Sequence, residues 1–275
     1  MDISHKMTST ISNILIPSKT FILGEYSVLS QGKALLLAHE PYFILSNTIK
    51  SNSPNSHPIL DDLDSSQSMY NFIDPHQGKG GFGASSAIVL GYSQLTQPNS
   101  LKAAWALNQH YHPNGSGADI ICQYAGGLTS VNVNDQTFHH LSLPENLDCI
   151  VLRSGIKIPT HTHLHDLKKR DFTELSLLIE PIINKKNLLE QELIDTIQRY
   201  ESLLRKMTLR SPAVIPMIDW VQSVPEVIAA KGCGALGADV IIAICQRRDY
   251  KQVASKLAEK FEIIANLDQI GAGIQ

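Results

Sequence analysis

Four glycines fall within six residues, Gly78, Gly80, Gly81 and Gly83, and the chain then passes at once to small and apolar residues over 84–95. A loop that ends where a helix begins is the expected outcome. Glycine lets the backbone come close to a ligand, and the free N–H groups and positive dipole end of a new helix attract anions. Ser85 and Ser86 put hydroxyls in the first turn, suited to a phosphate oxygen or a magnesium ion, and Lys79 adds a positive charge nearby. By itself the pattern also fits a glycine turn before an ordinary helix.

Two familiar phosphate loops are excluded. No Gly-Lys-Ser/Thr follows four residues after a glycine, and Ser86 stands where a dinucleotide fingerprint needs its third glycine.

Two further glycine segments carry candidate chemistry. Asn114-Gly115-Ser116-Gly117-Ala118-Asp119 is a tight turn that delivers a carboxylate to the start of a helix, where it can take a proton from a hydroxyl nucleophile or orient it toward a phosphoryl group. The same residues fit a plain helix start, with Ser116 as cap and Asp119 favouring the dipole. Lys231-Gly232-Cys233-Gly234-Ala235-Leu236-Gly237-Ala238-Asp239 precedes an apolar run; it reads as a loop over phosphate or substrate, or as a helix-to-strand turn with a glycine cap.

Around these segments the chain opens β-rich, with runs at 14–16 and 20–23 punctuated by Pro17 and Gly24, then 34–38 and 42–48. Residues 49–77 are polar and read as surface loop with one short helix at most. Helices are predicted over 84–95, 101–111, from 118 to the Gly126-Gly127 pair, twice within 172–207, over 215–230 and over 250–261. Strands are predicted at 128–133, 149–153, 240–245 and 262–265.

With 23 basic and 26 acidic residues the net charge is −3, so no global field recruits nucleic acid or an anionic membrane, and an anionic ligand has to be held locally. Neither a signal-peptide core nor a run of roughly 18 apolar residues is present, and the expected location is cytoplasmic. Cys122, Cys149, Cys233 and Cys245 form no CxxC pair and read as reduced, buried thiols. His161, His163 and His165 alternate without other ligands, the pattern of a polar strand or loop more than of a metal site.

In this order and spacing the segments resemble the motifs of the GHMP kinases, in the mevalonate kinase and phosphomevalonate kinase branch. Pro17-Ser18-Lys19-Thr20-Phe21-Ile22-Leu23-Gly24-Glu25-Tyr26 is similar to the family's first motif, 81–87 to its phosphate loop, Ser116 to Asp119 with Gly126-Gly127 to its catalytic helix, and 234–239 to its late glycine loop. Ser154-Gly155 through Thr160-His161 is similar to the segment where the family's two lobes meet. The resemblance implies a two-lobed α+β fold: residues 1–150 as an ATP-binding lobe like the second domain of ribosomal protein S5, and residues 151–275 as a ferredoxin-like substrate lobe.

It further implies Asp119 as catalytic carboxylate and Lys19 as the cation that lowers the acceptor hydroxyl's pKa. Lys79, Gly81, Gly83, Ala84, Ser85 and Ser86 would bind ATP, with Ser86 also a Mg2+ ligand. Glu25, Tyr26, Ser116, Gly117, Thr160, His161, Gly234 and Ala235 would face the substrate, with Lys157, Lys168, Lys169 and Arg170 as candidates for a second anion. The implied acceptor is 5-phosphomevalonate or mevalonate; neither nucleic acid nor a membrane is a partner, and a homodimer is compatible with the family. Departures are Ser18 for a glycine, Ala84 for a serine, Leu236 and Ala238 for glycines, and Asn108 where mevalonate kinases carry a magnesium-binding glutamate. They motivate a second reading, a GHMP-fold protein that binds nucleotide or metabolite without turnover.

Overall fold

A computed structural model describes residues 13–30, 32–48, 58–63, 69–156, 158, 167 and 170–275. Two antiparallel sheets organise the chain. In the first, β1 (Asn13–Leu23), β2 (Lys33–Thr48), β4 (Leu128–Asn132) and β5 (Thr137–Leu141) lie side by side, and β3 (Met69–Ile73) extends the far end of β2. The second runs β7 (Val227–Cys233), β8 (Val240–Gln246), β6 (Leu147–Arg153) and β9 (Glu262–Ala265).

Strict alternation along the central strands explains why both sheets are covered on both faces. On β2, Leu35 and Leu37 join the main core while Ala34, Leu36 and Ala38 join a second cluster behind it. On β8, Ile242 and Ile244 face the main core while Ile241, Ala243 and Cys245 face a third. The helices supply the covering layers: α1 (Pro58–Leu63), α2 (Ala84–Thr96), α3 (Leu101–Tyr111) and α4 (Ala118–Ala125) in the first half, then α5 (Thr173–Ile183), α6 (Glu190–Lys206), α7 (Ile215–Gln222) and α8 (Tyr250–Leu257).

Several sequence expectations need correction. Pro17 does not divide the opening into two strands: β1 runs through it, with a register shift against β2 between Pro17 and Ser18, as an edge strand with a bulge tolerates proline. Likewise 34–38 and 42–48 are one strand, β2. The helix expected over 215–230 stops at Gln222, and Val227–Cys233 is β7, paired with β8. Pro225 lies between the two elements and cannot continue a helix. The third glycine segment is therefore a strand-to-strand connection, not a helix-to-strand turn. Strand β5, exposed over four of its five positions, carries no apolar alternation that would announce it.

The C-terminal residues return to the first half of the chain. Leu15 and Gln275 exchange both backbone hydrogen bonds at 3.0 Å, and Gly271 N donates to Ala38 O at 2.9 Å. Gly126 ends α4 against this tail so closely that a Cβ there would lie 2.0 Å from Gly273 N. The double glycine is thus a docking face for the tail.

Candidate active site

Helix α4 starts at Gly117, whose φ of 74° is left-handed, and Asp119 sits in its first turn, where the positive helix end favours a carboxylate. Ser116 Oγ accepts from Ala118 N at 3.3 Å. A side chain at 117 is excluded twice over, because its Cβ would lie 2.4 Å from the Trp105 ring.

Lys19 reaches Asp119 from β1. Its Nζ lies 3.0 Å from Asp119 Oδ1, and the lysine is buried while the aspartate side chain is 35% exposed. Asp119 Oδ1 accepts no hydrogen bond, so the two meet as an ion pair without hydrogen-bond geometry. Lys19 N donates to Phe82 O at 3.1 Å, which ties the glycine loop to β1.

At Gly83, φ is 91° and α2 begins. Its first helical bond is Ala87 N to Gly83 O, leaving the N–H groups of 84–86 directed out of the helix start, the arrangement that holds phosphate. A methyl on Gly83 would lie 3.1 Å from Ser86 Oγ and 3.2 Å from Lys19 Cε; glycine keeps open the space between loop and lysine. Gly81 abuts the third glycine segment, where a Cβ would meet Asp239 Cβ at 2.7 Å.

A relay of buried polar groups stands behind Lys19. Arg153 donates from Nη2 to His76 Nδ1 at 3.1 Å, so the neutral imidazole carries its proton on Nε2 and donates to Ser18 Oγ at 2.7 Å. Ser18 in turn donates to Pro41 O at 2.6 Å. His76 stacks on Phe82, with ring centroids 4.2 Å apart. Burial, reinforced by the Arg153 charge, lowers its pKa to about 4. Ser18 is therefore a fully buried part of the scaffold.

Glu25 and Tyr26 join the third glycine segment. Glu25 Oε1 accepts from Lys231 Nζ at 2.6 Å and from Arg210 Nη2 at 3.4 Å, and Arg210 Nη2 also bonds Glu201 Oε2 at 2.6 Å. Lys231 and Arg210 side chains are wholly buried, which only a matched set of carboxylates permits. The Tyr26 hydroxyl accepts from Leu236 N at 2.9 Å, and burial raises its pKa to about 12. Leu236 itself has a left-handed φ of 52°, the conformation a glycine would supply at no steric cost.

The structure thus gathers Lys19, Gly83, Ser86 and Asp119, with Ala84 and Ser85 at the same helix start and Gly81 beside the third segment. Gly234 and Ala235 lie in that third segment, Gly234 against Asp239 Oδ2. Lys79 is half exposed, 3.9 Å from Glu262 on β9. Glu25 is committed to the buried charge cluster, and Tyr26 to Leu236 of the third segment. Thr160 and His161 lie outside the described residues, as do His163, His165, Lys157, Lys168 and Lys169. Sequence reasoning passed over Gln123, Arg153 and His76; of these only Gln123 carried a signal, its four-residue spacing from Asp119 on one helix face. No three His, Cys, Asp or Glu side chains among the described residues are grouped to hold a metal ion.

No protein-family profile matches the chain. No curated protein sequence matches it. Solved structures do. Mevalonate kinase of L. major, in complex with R-mevalonate, is 17% identical, with 96% of this chain and 98% of that one covered and a TM-score of 0.70. Streptococcus pneumoniae phosphomevalonate kinase, in complex with phosphomevalonate and AMPPNP, is 14% identical over 94% of this chain and 99% of that one, TM-score 0.71. Homoserine kinase from Cytophaga hutchinsonii is 12% identical over 100% and 99%, TM-score 0.66. The fold is that of these GHMP kinases.

Proposed function

We propose that this chain, which has the GHMP kinase fold, is an ATP-dependent phosphotransferase whose acceptor is 5-phosphomevalonate, with mevalonate as the second reading. The observation that carries the proposal is the Lys19–Asp119 ion pair at 3.0 Å, beside the α2 start that opens at Gly83. A protein that only bound nucleotide would have no use for a buried lysine against a half-open carboxylate at that point.

Asp119 takes the proton of the acceptor hydroxyl, or holds it toward the γ-phosphoryl group; Lys19 favours the alkoxide and offsets charge on the transferring group. The acceptor oxygen forms a bond to phosphorus as the bond to the ADP oxygen breaks. The N–H groups of 84–86 hold the phosphates, and positioning of the reactants supplies most of the catalysis. Ser86 Oγ fits Mg2+, because its single hydrogen is shared between the acceptors Gln123 Oε1 and Gly83 O, leaving lone pairs for a cation; the ion would neutralise phosphate charge.

Residues 1–150 and 151–275 form the ATP and substrate lobes in this reading, with the working location the cytoplasm. None of the helices among the described residues is long and apolar enough to cross a membrane. Asn114-Gly115-Ser116 and Gly-Glu-Tyr at 24–26 resemble phosphomevalonate kinases and so favour 5-phosphomevalonate, while the Ser-Gly-x-Asp spacing resembles mevalonate kinases.

The test is ADP release by the purified chain with MgATP and mevalonate, 5-phosphomevalonate, homoserine or galactose. Turnover with 5-phosphomevalonate establishes the proposal and turnover with mevalonate the second reading. Silence across the panel, with ATP binding demonstrated, favours a binding protein.

A further inference from the structure

Gln123 lies one turn along α4 from Asp119, on the same face, and is fully buried. Its amide joins three segments of the site. Oε1 accepts from Ser86 Oγ at 2.7 Å, while Nε2 donates to Pro17 O at 2.9 Å and to Gly83 O at 3.2 Å. The orientation is forced: carbonyl oxygens only accept, so the nitrogen faces Pro17 and Gly83 and the oxygen faces the serine.

Each tie has a place in the machinery. Pro17 lies two residues before Lys19, at the register shift of β1. Gly83 is the turn from which α2 springs, and Ser86 is in its first turn. A buried amide is costly unless all its bonds are made, and an apolar side chain of the same length would fill the space without that requirement. What the apolar residue lacks is the ability to register two segments, the glycine loop and β1, against the helix that carries Asp119.

Resting on the phosphotransferase reading above, we propose that Gln123 is a positioning residue, pinning the glycine loop and the Lys19 strand to the Asp119 helix. Small displacements between such groups cost up to about a hundredfold in rate. Gln123 bonds the Gly83 carbonyl and the Ser86 hydroxyl and leaves the N–H groups of 84–86 to a phosphate, so its loss should act more on turnover than on nucleotide binding.

Gln123→Met keeps the length and removes the three bonds. At a temperature where circular dichroism shows it folded, kcat should fall about ten- to a hundredfold, with the calorimetric affinity for metal-free ATP within about threefold of wild type and the increment added by Mg2+ reduced. Gln123→Glu keeps the Ser86 bond but sets a carboxylate against Pro17 O and Gly83 O, and should be no better. A folded Gln123→Met with wild-type kcat and Mg2+ increment overturns the proposal. If Gln123→Met does not fold, Gln123→Asn keeps the amide but shortens its reach to Pro17 O, Gly83 O and Ser86 Oγ; it should lower kcat in the same way, and a folded Gln123→Asn with wild-type kcat overturns the proposal. Wild-type protein that binds no ATP overturns the phosphotransferase reading and this inference with it; wild type that binds, with variants that behave identically, overturns the inference alone.

Discussion

Lys19 Nζ and Asp119 Oδ1 stand 3.0 Å apart, one on the edge strand β1 and the other in the first turn of α4. Strands β2 and β3 and helices α1, α2 and α3 lie between them in sequence, so the pair is a product of tertiary folding.

Asp119→Asn should reduce turnover at least about a hundredfold, the scale of a lost general base, with ATP affinity within a few-fold of wild type. Lys19→Met should act similarly. Because the two act as a unit, the double variant should be little worse than the poorer single one. Steady-state kinetics beside calorimetric ATP binding check this; wild-type turnover by Asp119→Asn removes the assigned role.

Gly117→Ala should destabilise the protein by about 2–4 kcal/mol, combining a left-handed backbone with overpacking. The φ of 74° resists a side chain, and the Trp105 ring lies 2.4 Å from the added carbon. Urea denaturation measures the loss. Trp105→Leu in the same chain should recover the packing part and leave the backbone part.

Lys231→Met should cost about 3–5 kcal/mol, the range for removing one partner of a buried charge group. The change leaves Glu25 with Arg210 at 3.4 Å as its cation. Replacing Lys79, half exposed and 3.9 Å from Glu262, should shift the same denaturation curve by less than about 1 kcal/mol.

Acid should destabilise the fold through two imidazoles held neutral. His39 is wholly buried, donates from Nδ1 to Glu40 O at 2.6 Å and has its pKa lowered by burial from 6.5 to about 4; His76 behaves likewise. The unfolded chain binds these protons first, so stability is full above pH 6.5 and declines as pH falls toward 4. At about 1.4 kcal/mol per pH unit, His39 accounts for on the order of 3 kcal/mol. The melting temperature of His39→Gln should therefore fall less steeply between pH 6.5 and 4 than that of wild type; parallel curves would remove His39 from the effect.

Much of the architecture was legible along the chain. Helix α3 falls on Leu101–Tyr111 as the sequence predicts, and the structure shows Ser100 as its cap, Oγ accepting from Ala103 N at 3.1 Å. Strand β9 falls on the apolar run at Glu262–Ala265. Pro17 is misleading because a proline ends a helix but only bends an edge or bulged strand. Residues 227–230 were read as helix because a short apolar run has no period that separates helix from strand; pairing with β8 decides it.

The sequence by itself determined the glycine turns, the helix starts after Gly83 and Gly117, and the placing of small residues and a carboxylate at those starts. These follow from steric freedom, capping and dipole effects that act within a few residues. Tertiary structure alone decided which distant groups meet: Glu25 with Lys231, Gln123 with Pro17 and Gly83, and Gly273 with the end of α4. Strand register and the packing of helices on sheets set those meetings, and a one-residue shift in either would turn the same side chains to other partners.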